Sequence, residues 1–514
     1  MGCLELKQYF LIYSEKGIIL SYKPLLITES IIVDRDSVYI TGSLKNLERI
    51  SDELNAKFIY LKDPVLPGFI DTHLHIDSLG FELESIDLTD VKNRDQLLKI
   101  IEDLKPNVGE WIVCGRVDHL QFPDQRMPTR SELDSVMSKH PVLIIHRSGH
   151  MGVLNTKGLE IALKWIRDRQ YIDYDKGWIY ETPLWIVRGK IFENIDLNHR
   201  SRIMIKTDDY LRKHGITAVG VAGCSEKCLE TLVNIDSYLK TRVYVYLYVE
   251  NNVDKLIEKI VFVNSRLRRV KINGFKIILD GALGPRTAYL SSDYNDQPGN
   301  RGILLYNRDL LEKIIEKVNN YSLQTAIHAI GDASLDIVLE VYRKYSDRTF
   351  LMRNRIEHAS LVRDDQMELI KSIKPIVVVQ PHFIITDKWV LDRIGYERLN
   401  WLYRYRSLFE STITSFSTDS PVEPVNPWRT IYAAITRGEE YGLIHGKLTS
   451  SEKMNLIDSL HAYTRNSAIA LRDDRLGCLY PGCYPDMITV SRNPLEITDP
   501  SELLEIESKP VDLD

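Results

Sequence analysis

Two textures of apolar and polar positions divide the chain. Over residues 1–64 short apolar runs alternate with turn residues, as in KGIILSY, SIIVDRDSVYITG and KFIYLKDPVLPGF. Runs of this length, rich in Ile, Val and Tyr and punctuated by Gly, Asp and Pro, predict strands rather than long helices. The texture returns over residues 471–514, in LGCLYPGCYPDMITVSRNP. Two strand-rich ends around a longer middle predict a small β-sandwich domain built from both termini.

The middle, residues 65–470, alternates two periodicities. Strand candidates are VLIIHR, GITAVGVAG, RVYVYLYVE, GFKIILDG, QTAIHAIGD, NRIEHAS, IKPIVVVQPH and TITSFSTDS. Between many of them lie amphipathic stretches such as LLEKIIEKVNNYS, SLDIVLEVYRKYS and DDQMELIKSI. Apolar strands buried on both faces, alternating with such helices, argue for a parallel α/β architecture. About eight units make a (β/α)8 TIM-like barrel the economical closure. A doubly wound open sheet is the alternative, but no GxGxxG follows a first strand to favour it. Residues 80–200 exceed what a minimal barrel needs and are rich in Trp, Tyr, Pro and charge. They read as an insertion over the barrel mouth, a candidate lid.

Composition narrows the class without changing the architecture. The 514 residues are 44% hydrophobic and 27% charged, and 66 Lys plus Arg against 72 Asp plus Glu give a formal charge of −6. That balance offers no electrostatic case for nucleic acid or an anionic membrane as partner. No apolar run approaches the ~18 residues that span a bilayer. The N-terminus lacks a basic segment before its apolar patch and a small-residue cleavage site, so the cytoplasm is the expected compartment. Six cysteines in a chain of this length are not a disulfide scaffold. Cys224 with Cys228 and Cys478 with Cys483 are close in sequence, but neither pair has CxxC spacing. Buried thiols or an occasional disulfide suit them better than a structural zinc.

The chemistry-bearing positions cluster where apolar strands meet loops. In PGFIDTHLH, His73 and His75 are two apart, so a regular strand would put both on one face, able to share one metal. His328 ends LQTAIH and His358 ends RNRIEH. In a barrel, strand C-terminal ends carry catalysis, and zinc takes imidazole readily. Asp419, in SFSTDSP, reads either as a turn former before Pro421 or as a metal-binding carboxylate that doubles as general base. Lys276 sits inside the apolar GFKIILDG. Desolvation lowers a lysine's pKa and makes it a nucleophilic amine, able to capture carbon dioxide as a carbamate that bridges two cations.

Taken together, these residues resemble the amidohydrolase superfamily, more narrowly its YtcJ-like branch (amidohydrolase family 3), which includes N-substituted formamide deformylase. The matching segments are PGFIDTHLH, the RxxGH of Arg147 to His150, GFKIILDGALGPRTA, HAIGD, RIEHA, STDSPV and YPGCYPDMITV, spanning about Leu66 to Pro494. The resemblance implies a metal-holding (β/α)8 barrel with a β-sandwich from both chain ends. It implies that His73 and His75 hold one divalent metal, His328 and His358 a second, and that a carboxylated Lys276 bridges them. Asp419 would bind metal and handle the proton. If Lys276 is unmodified, one ion held by His73, His75, His328 and Asp419 is the fallback. Arg147 and His150 look like substrate-side contacts, His150 also as a donor to the carbonyl, and Asp280 and Arg286 line the mouth. Where relatives often read GRGWDQ, this chain has Gly115-Arg116-Val117-Asp118-His119, which puts His119 in the lid and leaves the substrate's shape open.

The expected reaction is metal-assisted hydrolysis of a C–N bond in a small molecule: an amide, formamide or cyclic amide. An esterase or lactonase of the same fold is one alternative. A deaminase is another, though His328 is followed by Ala329, Ile330 and Gly331 rather than by the Glu three residues on that many such enzymes use. The oligomeric state is open, with a homodimer the assembly often found for large enzymes of this kind.

Overall fold

A computed structural model describes residues 7–167, 169–249, 257, 260 and 263–513. The chain forms two compact units. One holds the residues up to Leu74, Asp209–Ser225 and those from Leu239 on; the other holds His75–Asp208 and Glu226–Tyr238.

In the first unit eight parallel strands run in chain order around a nearly closed barrel: β1 (Phe69–Leu74), β2 (Ile216–Cys224), β3 (Arg242–Tyr248), β4 (Val270–Ile278), β5 (Gln324–Ala329), β6 (Arg355–His358), β7 (Ile376–Val379) and β8 (Thr414–Phe416). Every residue of β2 is buried, as expected of a strand covered on both faces. Between β8 and β1 the seam is stitched by side chains and loop: Thr72 Oγ1 lies 2.8 Å from Ser415 Oγ, and the Asp419 N–H donates to the His73 carbonyl at 2.8 Å. The helices between strands follow the amphipathic stretches. Arg308–Asn320 starts at Asn307, whose side chain accepts from the Leu310 N–H, and it buries Leu311, Ile314, Ile315 and Val318. Deep inside, Ile70, Ala218, Tyr244, Tyr246 and Ala326 pack with Ala468 and Leu471.

The two chain ends join in one seven-stranded mixed sheet. Met487–Val490 pairs antiparallel with Val65–Pro67, which is how the C-terminus completes a sheet begun by the N-terminus. One element there departs from the sequence reading: Leu44–Glu53 is a helix, packed through Leu47 on Leu11 and Ile32. Its apolar positions Leu44, Leu47 and Ile50 do recur at helical spacing.

The second unit has its own six-stranded sheet and core, in which Leu97, Ile112, Leu133, Val142 and Ile144 are buried together. Its strand Val142–His146 is the segment VLIIHR, so that run belongs here and not to the barrel. Its place among the eight is taken by β1, the strand of PGFIDTHLH. A short apolar run has no feature that tells which sheet it joins. Among the described residues no helix is long and apolar enough to cross a membrane. Cys478 and Cys483 form a disulfide, while Cys224 and Cys228 are buried thiols, so the four do not form one zinc site.

Candidate metal centre

Strand β1 is irregular where it matters. Asp71 pairs with Val219 and Leu74 with Val221, three residues against two, so β1 carries an extra residue around Thr72 and His73. Such a bulge re-aims side chains and is common beside active sites. His73, fully buried, gives its Nδ1–H to Glu357 Oε2 at 2.5 Å. Its Nε2 is then directed at Lys276 Nζ (3.2 Å) and Asp419 Oδ1 (3.3 Å). His73, His75 and Asp419 each offer a ligand atom, all within 4.8 Å of one another.

The other two histidines join from neighbouring strands. On β5, His328 uses Nε2 on the Gly281 carbonyl at 2.9 Å, which leaves Nδ1 for a ligand. On β6, His358 uses Nδ1 on Gln380 Oε1 at 2.8 Å, which leaves Nε2. The His358 ring lies 4.9 Å from that of His73 and 4.5 Å from that of His328. In a regular strand Glu357 and His358 would face opposite sides. Positive φ at His358 (72°) and Ala359 (46°) breaks that alternation, and both side chains approach His73. Asp419 also has positive φ, 60°. Backbone strain of this kind collects at functional sites.

Burial sets the protonation of these groups. It lowers the Lys276 amine to about 8, against the pull of Glu357 and Asp419. It takes His328 down to about 3, with Lys276 adding to the shift, and His358 well below its usual range, with His328 and His73 adding. Neutral imidazoles and a partly neutral amine are what metal ligation requires, because ligands bind through free lone pairs. The donor set thus fits a divalent ion held by His73, His75 and Asp419, with His328, His358 and Lys276 at hand for a second.

Beneath the ligands lies a network that the sequence reading missed. Burial opposes ionisation of Glu357, but Arg355 and His73 outweigh it and hold the carboxyl well below its usual range. Arg355 reaches Oε1 through Nε (2.7 Å) and Oε2 through Nη2 (2.8 Å), and its guanidinium lies over the Tyr246 ring. Asp71, pushed up to about 7 by burial, accepts from the Thr418 hydroxyl and from the backbone N–H groups of Thr418 and His73. The readable signal was the period of RIEH, which puts Arg355 and Glu357 on one face of an apolar strand.

Asp280 is fully buried; it accepts from the N–H groups of Tyr289, Ile330 and Gly331 and from Ser334 Oγ, fastening the loop after β4 to the loop after β5. Burial, opposed by these donors, raises its carboxyl to about 6. Arg286 forks onto Asp296 at 3.1 and 2.7 Å. In the second unit Arg147 pairs with Asp118 at 2.7 Å, His150 with Glu181 at 3.0 Å, and the His119 ring lies 5.0 Å from that of His146.

Comparison with known proteins agrees with this geometry. A profile described as the amidohydrolase family matches residues 64–508. The chain belongs to that family. It is 25% identical to YtcJ of Bacillus subtilis (strain 168) over 504 residues, 94% of each chain. It is 23% identical to N-substituted formamide deformylase of Arthrobacter pascens over 479 residues, 86% of each. Among solved structures it resembles an uncharacterized metal-dependent hydrolase from Pyrococcus horikoshii OT3, with 32% identity, a TM-score of 0.85, and 95% of this chain and 99% of that one covered. The family member is therefore a metal-dependent hydrolase in class.

Proposed function

We propose that this amidohydrolase cleaves a carbon–nitrogen bond of a small molecule: an amide, a formamide or a cyclic amide. The observation that carries the reading is the convergence of His73, His75 and Asp419, backed by Lys276 and by the buried His328 and His358. Likeness to a relative named for formamide cleavage supports the choice of bond. Zinc suits an imidazole-rich donor set, and when bound it would polarise a carbonyl and make water acidic enough to attack at neutral pH.

The chain's own residues do the rest. Asp419 accepts the proton of the attacking water and returns it to the leaving nitrogen as the C–N bond breaks. Glu357, through His73 Nδ1, keeps one ligand in the tautomer that binds. Lys276, its pKa brought down to about 8 by burial, is a weak enough base to be partly unprotonated near neutral pH. Its lone pair would attack carbon dioxide, forming an N–C bond as one C=O π bond opens and releasing the N–H proton to water, and the resulting carbamate would give the site an anionic oxygen donor.

The test is Asp419→Asn, read by metal content and by amine release from a panel of N-alkylformamides. With zinc supplied in excess, the expected result is an ion still bound through the histidines and turnover lowered at least ~100-fold, the low end of what a general base contributes. An active, metal-loaded variant would remove Asp419 from the reaction. A wild-type enzyme that releases alcohol from esters but no amine would move the bond from C–N to C–O.

A further inference from the structure

Asp280 was expected at the mouth of the site, yet it is fully buried against a candidate ligand. It stands two residues past the end of β4. There β4 and β5 run side by side: Ile278 pairs with His328, and the Leu279 N–H donates to the His328 carbonyl at 3.1 Å. The next two residues reach the imidazole itself. The Gly281 carbonyl accepts from His328 Nε2 at 2.9 Å, and Asp280 Oδ1 lies 3.4 Å from the same nitrogen.

The Asp280 carboxyl is fixed in that place. Oδ1 accepts from the Ile330 N–H at 3.1 Å, and Oδ2 from the N–H groups of Gly331 (2.8 Å) and Tyr289 (3.0 Å) and from the Ser334 hydroxyl (2.8 Å). All four partners are donors, the company that suits a carboxylate. Among the described residues no lysine or arginine forms an ion pair with it, and His328 is the group beside it that can carry positive charge. A neutral imidazole has one N–H and one lone pair. A carboxylate beside one ring nitrogen favours the hydrogen there, and it also counters the positive charge that an ion bound at the other nitrogen lends the ring.

We propose that Asp280 is a positioning residue of the metal centre: with the Gly281 carbonyl, it holds the His328 proton on Nε2 and so keeps Nδ1 as the ligand atom. The proposal rests on the reading of His328 as a ligand, but not on which bond the enzyme cleaves. Asp280→Asn inverts the contact. Three donors converge on the Oδ2 place and two groups on the Oδ1 place, so the amide oxygen satisfies more of them at Oδ2. The NH2 group then faces His328 Nε2. A donor there favours a lone pair on Nε2 and the proton on Nδ1, where it blocks the metal.

The test uses the full chain labelled with 15N-histidine, stripped of metal at pH 8, where a carboxyl at about 6 is ionised. Ring nitrogen shifts distinguish N–H from lone pair, and His328→Gln identifies the signal. The wild type should carry the His328 proton on Nε2, and Asp280→Asn should move it in part to Nδ1. Zinc competition against a chromophoric chelator should show the ion that His328→Gln weakens to be bound at least ~10-fold less tightly in Asp280→Asn, the low end of what such support contributes. Ser334→Ala removes one donor but keeps the carboxylate. It should lower the urea midpoint and leave both the proton's place and the zinc affinity unchanged, which a merely structural role for Asp280 would not predict of one variant and not the other. Should Asp280→Asn not fold, Asp280→Asn/Ser334→Ala leaves one donor fewer to satisfy and carries the same test. A wild-type proton on Nδ1, wild-type zinc affinity without the Asp280 carboxylate, or zinc binding indifferent to His328→Gln would each overturn the proposal. The expected shifts in a protein that releases no amine would leave it standing and count against the C–N reaction alone.

Discussion

Replacing Glu357 by Gln removes a charge from beneath the metal centre while keeping the side chain's size. Three donors converge on the two carboxylate oxygens: Arg355 Nε on Oε1, Arg355 Nη2 on Oε2, and His73 Nδ1 on Oε2. A glutamine offers one oxygen and one NH2 group, so at least one donor meets another donor. Arg355 would also remain fully buried without its counter-charge. Removing one member of a buried ion pair costs about 3–5 kcal/mol, far more than a surface pair would. A second effect falls on the metal. Without a carboxylate on Nδ1, the His73 ring is less firmly held with its Nε2 lone pair toward Asp419 and Lys276, and losing such support typically weakens metal affinity ~10–100-fold.

Two assays separate these effects. Urea unfolding of metal-free protein should show the lowered midpoint at unchanged slope. Zinc competition against a chromophoric chelator, under conditions where the variant is folded, should show the weakened affinity. Wild-type values in both would refute the idea that the Arg355–Glu357 pair holds the centre in place. A stability loss with unchanged zinc affinity would confine the pair to folding.

Lys276 gives a prediction with a defined pH window. Its folded pKa is about 8 against an ordinary 10.5, so below pH 8 the metal-free folded state carries the full cost of a buried cation. Between 8 and 10.5 the unfolded chain holds more protons, and the lysine's contribution to stability rises with pH. Lys276→Met should therefore stabilise the metal-free protein at pH 7 by about 3 kcal/mol, an advantage that shrinks to nothing by pH 10.5; urea midpoints across that range check it. Gly274→Ala should destabilise strongly, because a Cβ there would lie 1.8 Å from the Gln324 carbonyl oxygen across the β4–β5 pair. A cost of at least ~3 kcal/mol, at or above the usual overpacking range, is expected in the same assay, and a near-neutral result would mean that the two strands can move apart.

Much of the barrel was legible because many of its strands lie in apolar runs, which makes a polar residue within or just after such a run conspicuous. His73, Lys276, His328, His358 and Asp419 stood out for that reason. The second unit was legible as an insertion, but not as a sheet of its own that takes VLIIHR. What stayed hidden depends on contacts between distant residues or on backbone conformation. The pairing of His73 with Glu357, 284 positions away, has no local signature. Neither has that of His328 with Asp280. The bulge in β1 and the positive φ at His358 are likewise absent from any periodicity, and regular alternation would have turned His358 away from His73.

These hidden features have a common physical origin. Ligands must be neutral or anionic and free of other bonds at the binding atom, and burial makes histidine and lysine neutral at modest pH. The same burial makes every unpaired polar group expensive. Three of the candidate ligands accordingly have a partner on the far side of the ring: Glu357 for His73, Gln380 for His358, the Gly281 carbonyl for His328. Those partners must in turn be held, Glu357 by Arg355 and Gln380 by Ser417 at 2.9 Å. Regular strands alone do not bring these candidate ligands and their supports together, and the departures at β1, His358 and Asp419 supply the remaining freedom. It follows that a substitution two bonds away from the metal can alter its affinity without touching a ligand, and that the sequence signal for such a position is a polar residue facing inward on an apolar strand, as Arg355 and Glu357 do.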